Sequence, residues 1–137
     1  MEKLLIDTGA FLGRQVVEDQ HHEASLCGWK EIESSSMRLY STEHIFDETV
    51  GLLSRRNSYA FAAEWGMDHL QSRELDWLQA TPEDLKIAIA FMRKYADQKV
   101  SFTDCVSFAL MRREGIRHAF SFDHHFLDAQ FRLWPGY

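Results

Sequence analysis

The chain has 137 residues, of which 45% are hydrophobic, 13% aromatic and 26% charged, and a globular protein of about this length buries roughly 68–70% of its unfolded surface without disulfides or a structural metal. Cys27 and Cys105 are its two cysteines and form no CxxC pair, which excludes a disulfide framework and zinc-finger spacing. Fifteen Lys+Arg against 21 Asp+Glu leave a net charge of -6, which excludes a general nucleic-acid coat but not an enzyme that grips a phosphodiester through metal ions and a local basic strip.

Asp7, Asp104 and Asp123 interrupt the apolar runs well short of the roughly 18 residues a membrane helix needs, and no basic-then-apolar leader is visible. The expectation is a cytoplasmic protein with no membrane contact. Pro82 and Pro135 are the only prolines and no repeat or linker appears, so residues 1–137 are expected to form a single domain.

Lys3-Leu4-Leu5-Ile6 reads as a short buried strand closed by Asp7-Thr8-Gly9, which leads into a helix over Ala10 to Val17. Leu26, Trp29 and Ile32 give the apolar spacing of a second helix, from His22 to Ile32. Arg38 to Ser41 is a second strand, and Ser41-Thr42-Glu43 supplies the start of a helix that carries Ile45, Val50 and Leu53 toward Arg55-Arg56. Tyr59 to Leu70 is a further helix and Leu75 to Leu78 a strand. Thr81-Pro82-Glu83-Asp84 and Ser101-Phe102-Thr103-Asp104 each open a helix, the second ending near Gly115. Ala119 to Phe122 is a strand stopped by Asp123, and Phe131 to Leu133 a last edge strand. Short strands separated by helices predict an α/β fold, a doubly wound, mostly parallel sheet flanked by helices, with ligands at the carboxyl ends of the strands.

Four acids stand where carboxylates are costly. Asp7 and Asp123 close strands, Glu48 lies on the inward stripe of its helix, and Asp104 rides the start of an apolar helix face. In one pocket they would repel one another unless hard divalent cations offset the charge, which points to Mg²⁺ or Mn²⁺. For any one of them taken singly, an ordinary turn or cap role competes.

Leu4-Leu5-Ile6-Asp7-Thr8-Gly9-Ala10, Ile45-Phe46-Asp47-Glu48, Thr103-Asp104-Cys105 and Ser121-Phe122-Asp123-His124-His125-Phe126, in that order, resemble the PIN (PilT N-terminal) domain, the fold of the VapC-type toxins of bacterial and archaeal toxin-antitoxin pairs. The resemblance implies Mg²⁺- or Mn²⁺-dependent hydrolysis of RNA by the acidic cluster Asp7, Glu48, Asp104 and Asp123. It further implies Thr8 and Thr103 as supporting hydroxyls, a small antitoxin protein as partner, and a homodimer. The sequence departs from the family pattern at Gly9, where Ser or Asn is common, and carries a second acid, Asp47, beside Glu48; helical register turns Glu48 inward.

Asp7-Thr8-Gly9 also matches the aspartic-protease triplet, but the helical periodicity of this chain is incompatible with that all-β fold. A haloacid-dehalogenase-like phosphatase needs a second Asp where Gly9 stands. Neither His21-His22 with Cys27 nor His124-His125 has zinc spacing; the first pair is expected to open a helix and the second to line a turn by the cleft, within reach of phosphate. Cys27 and Cys105 are expected in the core, as are Phe61 and Trp65, unless their helix, with Tyr59 and Leu70, serves an interface. Arg55, Arg56, Arg112 and Arg113, with Arg14, Arg38 and Arg117, are the candidates for contacting RNA phosphates. The two readings that result are a metal-dependent endoribonuclease and a non-catalytic PIN-like module that binds RNA or protein.

Overall fold

The structure is a computed structural model that describes residues 2–136. Its elements in chain order are β1 (Lys3–Ile6), α1 (Thr8–Gln15), α2 (His22–Glu33), β2 (Arg38–Thr42), α3 (Glu43–Arg56), α4 (Tyr59–Gln71), β3 (Leu75–Leu78), α5 (Pro82–Lys94), α6 (Phe102–Glu114), β4 (His118–Phe120), α7 (His125–Asp128) and β5 (Arg132–Leu133). The five strands form one sheet in the order β3-β2-β1-β4-β5, and every pair is parallel. β1 lies at the centre, where both faces are covered, and its Leu4, Leu5 and Ile6 are accordingly all apolar and fully buried.

From β1 the chain winds one way to β2 and β3, then returns through α5 and α6 to β4 on the other flank of β1. This reversal sets the loops that follow β1 and β4 side by side, the place where open α/β sheets bind ligands. The Asp7 N–H donates to the Phe120 carbonyl at 3.1 Å and fixes the two loops to each other. α5 packs along α6, and every residue of α6 from Asp104 to Met111 is buried, so this helix runs through the interior rather than along the surface.

Three expectations change. The strand predicted over Ala119 to Phe122 ends at Phe120, because the Ser121 hydroxyl accepts the Asp123 N–H at 3.0 Å and turns the chain out of the sheet. The helix predicted from Ala10 begins at Thr8. On α2 the inward residues are Ser25, Gly28 and Trp29, while Leu26 and Cys27 are exposed, so the core assignment of Cys27 does not hold; Cys105 is buried as expected. Close approach explains the reversal on α2. A Cβ on Gly28 would fall 2.4 Å from Cζ of the buried Phe120, and one on Gly13 of α1 would fall 2.0 Å from Ser25 Oγ. Only small residues fit between these layers, and bulkier side chains are turned outward.

On α4, Trp65 is buried against Phe11 at 5.3 Å between ring centroids, whereas Tyr59 and Leu70 are exposed. Among the described residues no helix is long and apolar enough to cross a membrane.

Candidate metal centre

Asp7 stands at the N-cap of α1, where an aspartate ordinarily accepts a backbone N–H two or three residues on. Its side chain makes no such bond. The carboxylate, nearly buried, instead accepts the Ser121 hydroxyl at 2.7 Å, across the junction between β1 and β4. Burial raises its pKa; the Ser121 hydroxyl and the Thr8 N–H oppose this, Glu48 and Asp123 add repulsion, and the result is about 6.

Glu48 reaches the same place from the middle of α3. Asp47 is exposed and Glu48 half-buried, as the helical register requires, and the Thr8 hydroxyl donates to Glu48 Oε1 at 2.5 Å. Thr8 thus ties the start of α1 to α3.

Asp104 occupies the third position of α6. Its backbone N–H donates to the Ser101 hydroxyl at 3.1 Å, but its carboxylate returns no bond to Ser101. The carboxyl group, nearly buried at the end of an interior helix, is pushed up to about 9 by burial first, then by the negative charge of Asp7 and by Asp123 and Glu48. Thr103 beside it is half-buried, and its carbonyl accepts the Ser107 hydroxyl.

Asp123 behaves oppositely. Burial would raise it, but a proton shared from Asp104, the His125 N–H and the His125 ring outweigh that and hold it below the usual carboxylate range. Asp123 Oδ1 accepts the His125 N–H at 2.9 Å and lies 3.0 Å from His125 Nδ1. One ligand atom from each of Asp123, His124 and His125 can be chosen so that all lie within 4.8 Å of one another.

The structure therefore brings Asp7, Glu48, Asp104 and Asp123 into mutual electrostatic contact from β1, α3, α6 and the loop after β4. Among the described residues no Lys or Arg forms an ion pair with any of the four, and the basic side chains beside them are the imidazoles of His124 and His125 at Asp123. A set of hard carboxylate oxygens that lacks a protein counter-charge fits a divalent cation. The histidine pair, which the sequence placed only beside the cleft, stands next to this cluster.

Ser121 escaped the sequence reading. It is buried, bonds Asp7 and receives Asp123 N–H, so one hydroxyl orients two of the acids. A serine two residues before a strand-closing aspartate was the only local signal.

The arginines divide. Arg113 is committed to Asp84 and Glu114 and donates to the Gln79 carbonyl, and Arg56 pairs with Asp19 at 2.7 Å. Arg112 lies over the Phe91 ring, 4.9 Å from its centroid. Arg112 and Arg113 sit eight and nine residues beyond Asp104, roughly 12 Å or more along the axis of α6. Arg56, Arg112 and Arg113 are thus each engaged within the chain. Arg55 is exposed on the last turn of α3, with no ion-pair partner among the described residues.

Comparison with known proteins supports the same frame. The sequence model of the PIN domain matches residues 4–132. The chain is 26% identical over 129 residues to the 23S rRNA-specific endonuclease VapC20 of two Mycobacterium tuberculosis strains, an alignment that covers 93% of this chain and 95% of the relative. The crystal structure of M. tuberculosis VapC20, described as a sarcin-ricin loop cleaving toxin, superposes with a TM-score of 0.84 over the same shares of the two chains. VapBC2 from Rickettsia felis, solved with a DNA fragment from its promoter, shares the fold at 11% identity, with a TM-score of 0.63 and 96% of each chain covered.

Proposed function

From the premise that this chain belongs to the PIN domain family, we propose that it is a Mg²⁺- or Mn²⁺-dependent endoribonuclease and the toxin of a toxin-antitoxin pair. One observation carries the reading. Carboxylates from separate elements converge with no Lys or Arg paired to them among the described residues, and burial together with their neighbouring charges raises the pKa of Asp104 and Asp7.

Asp7, Asp104, Glu48 and Asp123 would hold the cation, with His125 steadying Asp123. When bound there, the metal supplies Lewis-acid polarisation of the scissile phosphate and a lowered pKa for an attacking water. The protein's own part is to fix the ligands. Ser121 aims Asp7, Thr8 aims Glu48, and the interior helix α6 gives Asp104 a rigid base. Thr103 adds a hydroxyl beside Asp104, and Arg55 is the remaining member of the predicted arginine pairs free to meet RNA near α3.

The toxin role, an antitoxin partner, a homodimer, a cytoplasmic setting and one functional unit over residues 1–137 belong to this proposal. The toxin role is supported by the similarity to VapC20, whose description as a 23S rRNA-specific endonuclease makes ribosomal RNA the first substrate to try, and the other calls follow from the family resemblance. The test begins without a substrate. Mn²⁺ titrated calorimetrically should bind the wild type and not Asp104→Asn, with both folded. Cleavage of ribosomal RNA should stop in EDTA and return with Mn²⁺ or Mg²⁺. Cleavage that persists in EDTA would falsify the metal mechanism, and absence of Mn²⁺ binding together with absence of cleavage would leave the non-catalytic module.

A further inference from the structure

The acids gather where the strands end; the opposite end of the sheet, where they begin, carries the reverse charge. We infer that this far end is a second RNA-contacting surface, which holds backbone phosphates beyond the stretch presented to the acids. The inference rests on the ribonuclease reading and extends it.

Because every strand is parallel, all the strand starts lie at one edge. Lys3 of β1 is in register with Arg38 of β2, and His118 of β4 with Arg132 of β5. Adjacent strands are about 4.8 Å apart, so a row across β1, β4 and β5 spans roughly 10 Å, enough to meet about three charges of a nucleic-acid strand that recur at about 3.4 Å along its duplex axis. Two adjoining hollows of about 380 and 420 Å³ open on this edge and share Arg117, Arg132 and Gly115. Their linings contain the permanent cations Lys3, Arg112, Arg117 and Arg132, and a single carboxylate, Glu2.

Arg117 and Arg132 are the cations that the two hollows share. Both are exposed, and among the described residues neither takes part in an ion pair. The Arg132 N–H donates to the Arg117 carbonyl at 2.9 Å, which fixes the two residues side by side. Unpaired guanidinium groups that line the same hollows suit phosphates, which a guanidinium grips through two parallel N–H bonds. On a chain of net charge -6 this is a local reversal of sign. A protein partner would favour an apolar centre with charges depleted; a groove dominated by arginine matches a nucleic-acid backbone.

The experiment uses the full chain with EDTA present, so that no metal bridges phosphate to the acids. Anisotropy of a fluorescein-labelled poly(U) of about 30 nucleotides is measured against salt for the wild type, Arg117→Gln/Arg132→Gln and Arg117→Lys/Arg132→Lys. Loss of two phosphate contacts should flatten the slope of log K against log salt by about 1.4, at about 0.7 per contact, and weaken low-salt binding at least about 10-fold, while the lysine variant keeps the wild-type slope. Equal slopes in the wild type and the glutamine variant would overturn the surface and leave the nuclease reading intact. Absence of RNA binding by the wild type would also overturn it, and metal-dependent cleavage would then still uphold the nuclease. Poly-glutamate that binds the wild type more tightly than RNA, and is lost in the glutamine variant, would reassign the edge to an acidic protein. Binding that is lost in the glutamine variant, in a protein that cuts no RNA, would keep the surface and remove the nuclease.

Discussion

α5 and α6 begin with the same signature, a hydroxyl residue followed three positions later by aspartate, and put it to opposite uses. At α5, Thr81 and Asp84 exchange hydrogen bonds in a reciprocal capping box, and Arg113 pairs with the Asp84 carboxylate; although burial opposes it, the Thr81 and Arg113 bonds hold that group below the usual range. At α6, Ser101 accepts the Asp104 N–H but the Asp104 carboxylate gives nothing back, meets no basic partner and is pushed up to about 9 by burial and neighbouring acids. The first aspartate is spent on its own helix. The second is withheld from its helix and turned toward Asp7 and Asp123, so the missing local bond leaves this carboxylate to the acidic cluster.

Exchanging the two roles should break the comparison most sharply. Asp104→Asn should reduce cleavage at least about 100-fold and abolish measurable Mn²⁺ binding while the melting temperature holds or rises, because the cost of keeping a buried carboxyl protonated is removed. Asp84→Asn should do the reverse, leaving Mn²⁺ affinity intact in calorimetry and lowering stability in urea by about 2 kcal/mol, the worth of a cap and a partly screened ion pair. Equal behaviour of the two variants would remove the distinction. Next in size, Ser121→Ala should weaken Mn²⁺ binding roughly 10-fold, since an orienting partner of a ligand is lost rather than the ligand.

A pH series sharpens the same contrast. Asp104 and Asp7 carry raised values of about 9 and about 6, so between their ordinary value of 3.8 and those values the folded chain holds protons that the unfolded chain has released. Metal-free stability should therefore fall as pH rises through about 6 and on toward about 9, and saturating Mn²⁺ should reverse the fall. Asp84, with a lowered value, contributes stability that is present above 3.8 and lost as pH drops through its folded value. Denaturant midpoints that rise with pH in the metal-free protein would contradict the assignment. The smallest expected change in Mn²⁺ binding comes from packing rather than from the acids: Gly28→Ala should cost about 1–3 kcal/mol of stability by pressing a methyl group into the Phe120 ring, with Mn²⁺ affinity unchanged.

The sequence made local relations legible. Periodicity located every helix except the short α7, read as a turn, to within a few residues, and register alone chose Glu48 over Asp47 as the inward acid. It also marked all four acids that the structure gathers, because carboxylates on apolar faces or at strand ends stand out without any knowledge of contacts. What escaped depends on distant partners. Ser121 matters through Asp7, 114 residues away; Arg56 and Arg113 are held by Asp19 and Asp84, 37 and 29 residues away, so they looked free to meet RNA. Leu26 and Cys27 were given the wrong face because the spacing of apolar residues does not report that α2 approaches Phe120 too closely for anything larger than glycine at position 28.

The central position of β1 also bears on when the protein becomes competent. β1 is made first, yet half of its pairing waits for β4, and the Asp7–Ser121 bond joins residues from opposite ends of the chain. Contacts of such sequence separation form late, after the intervening loop entropy has been lost. A nascent chain that stops short of β4 has an unpaired edge on its most apolar strand, and it lacks both Asp123 and the hydroxyl that orients Asp7. Assembly of the acids is thus tied to completion of the sheet, and synthesis itself acts as a timer on the cluster.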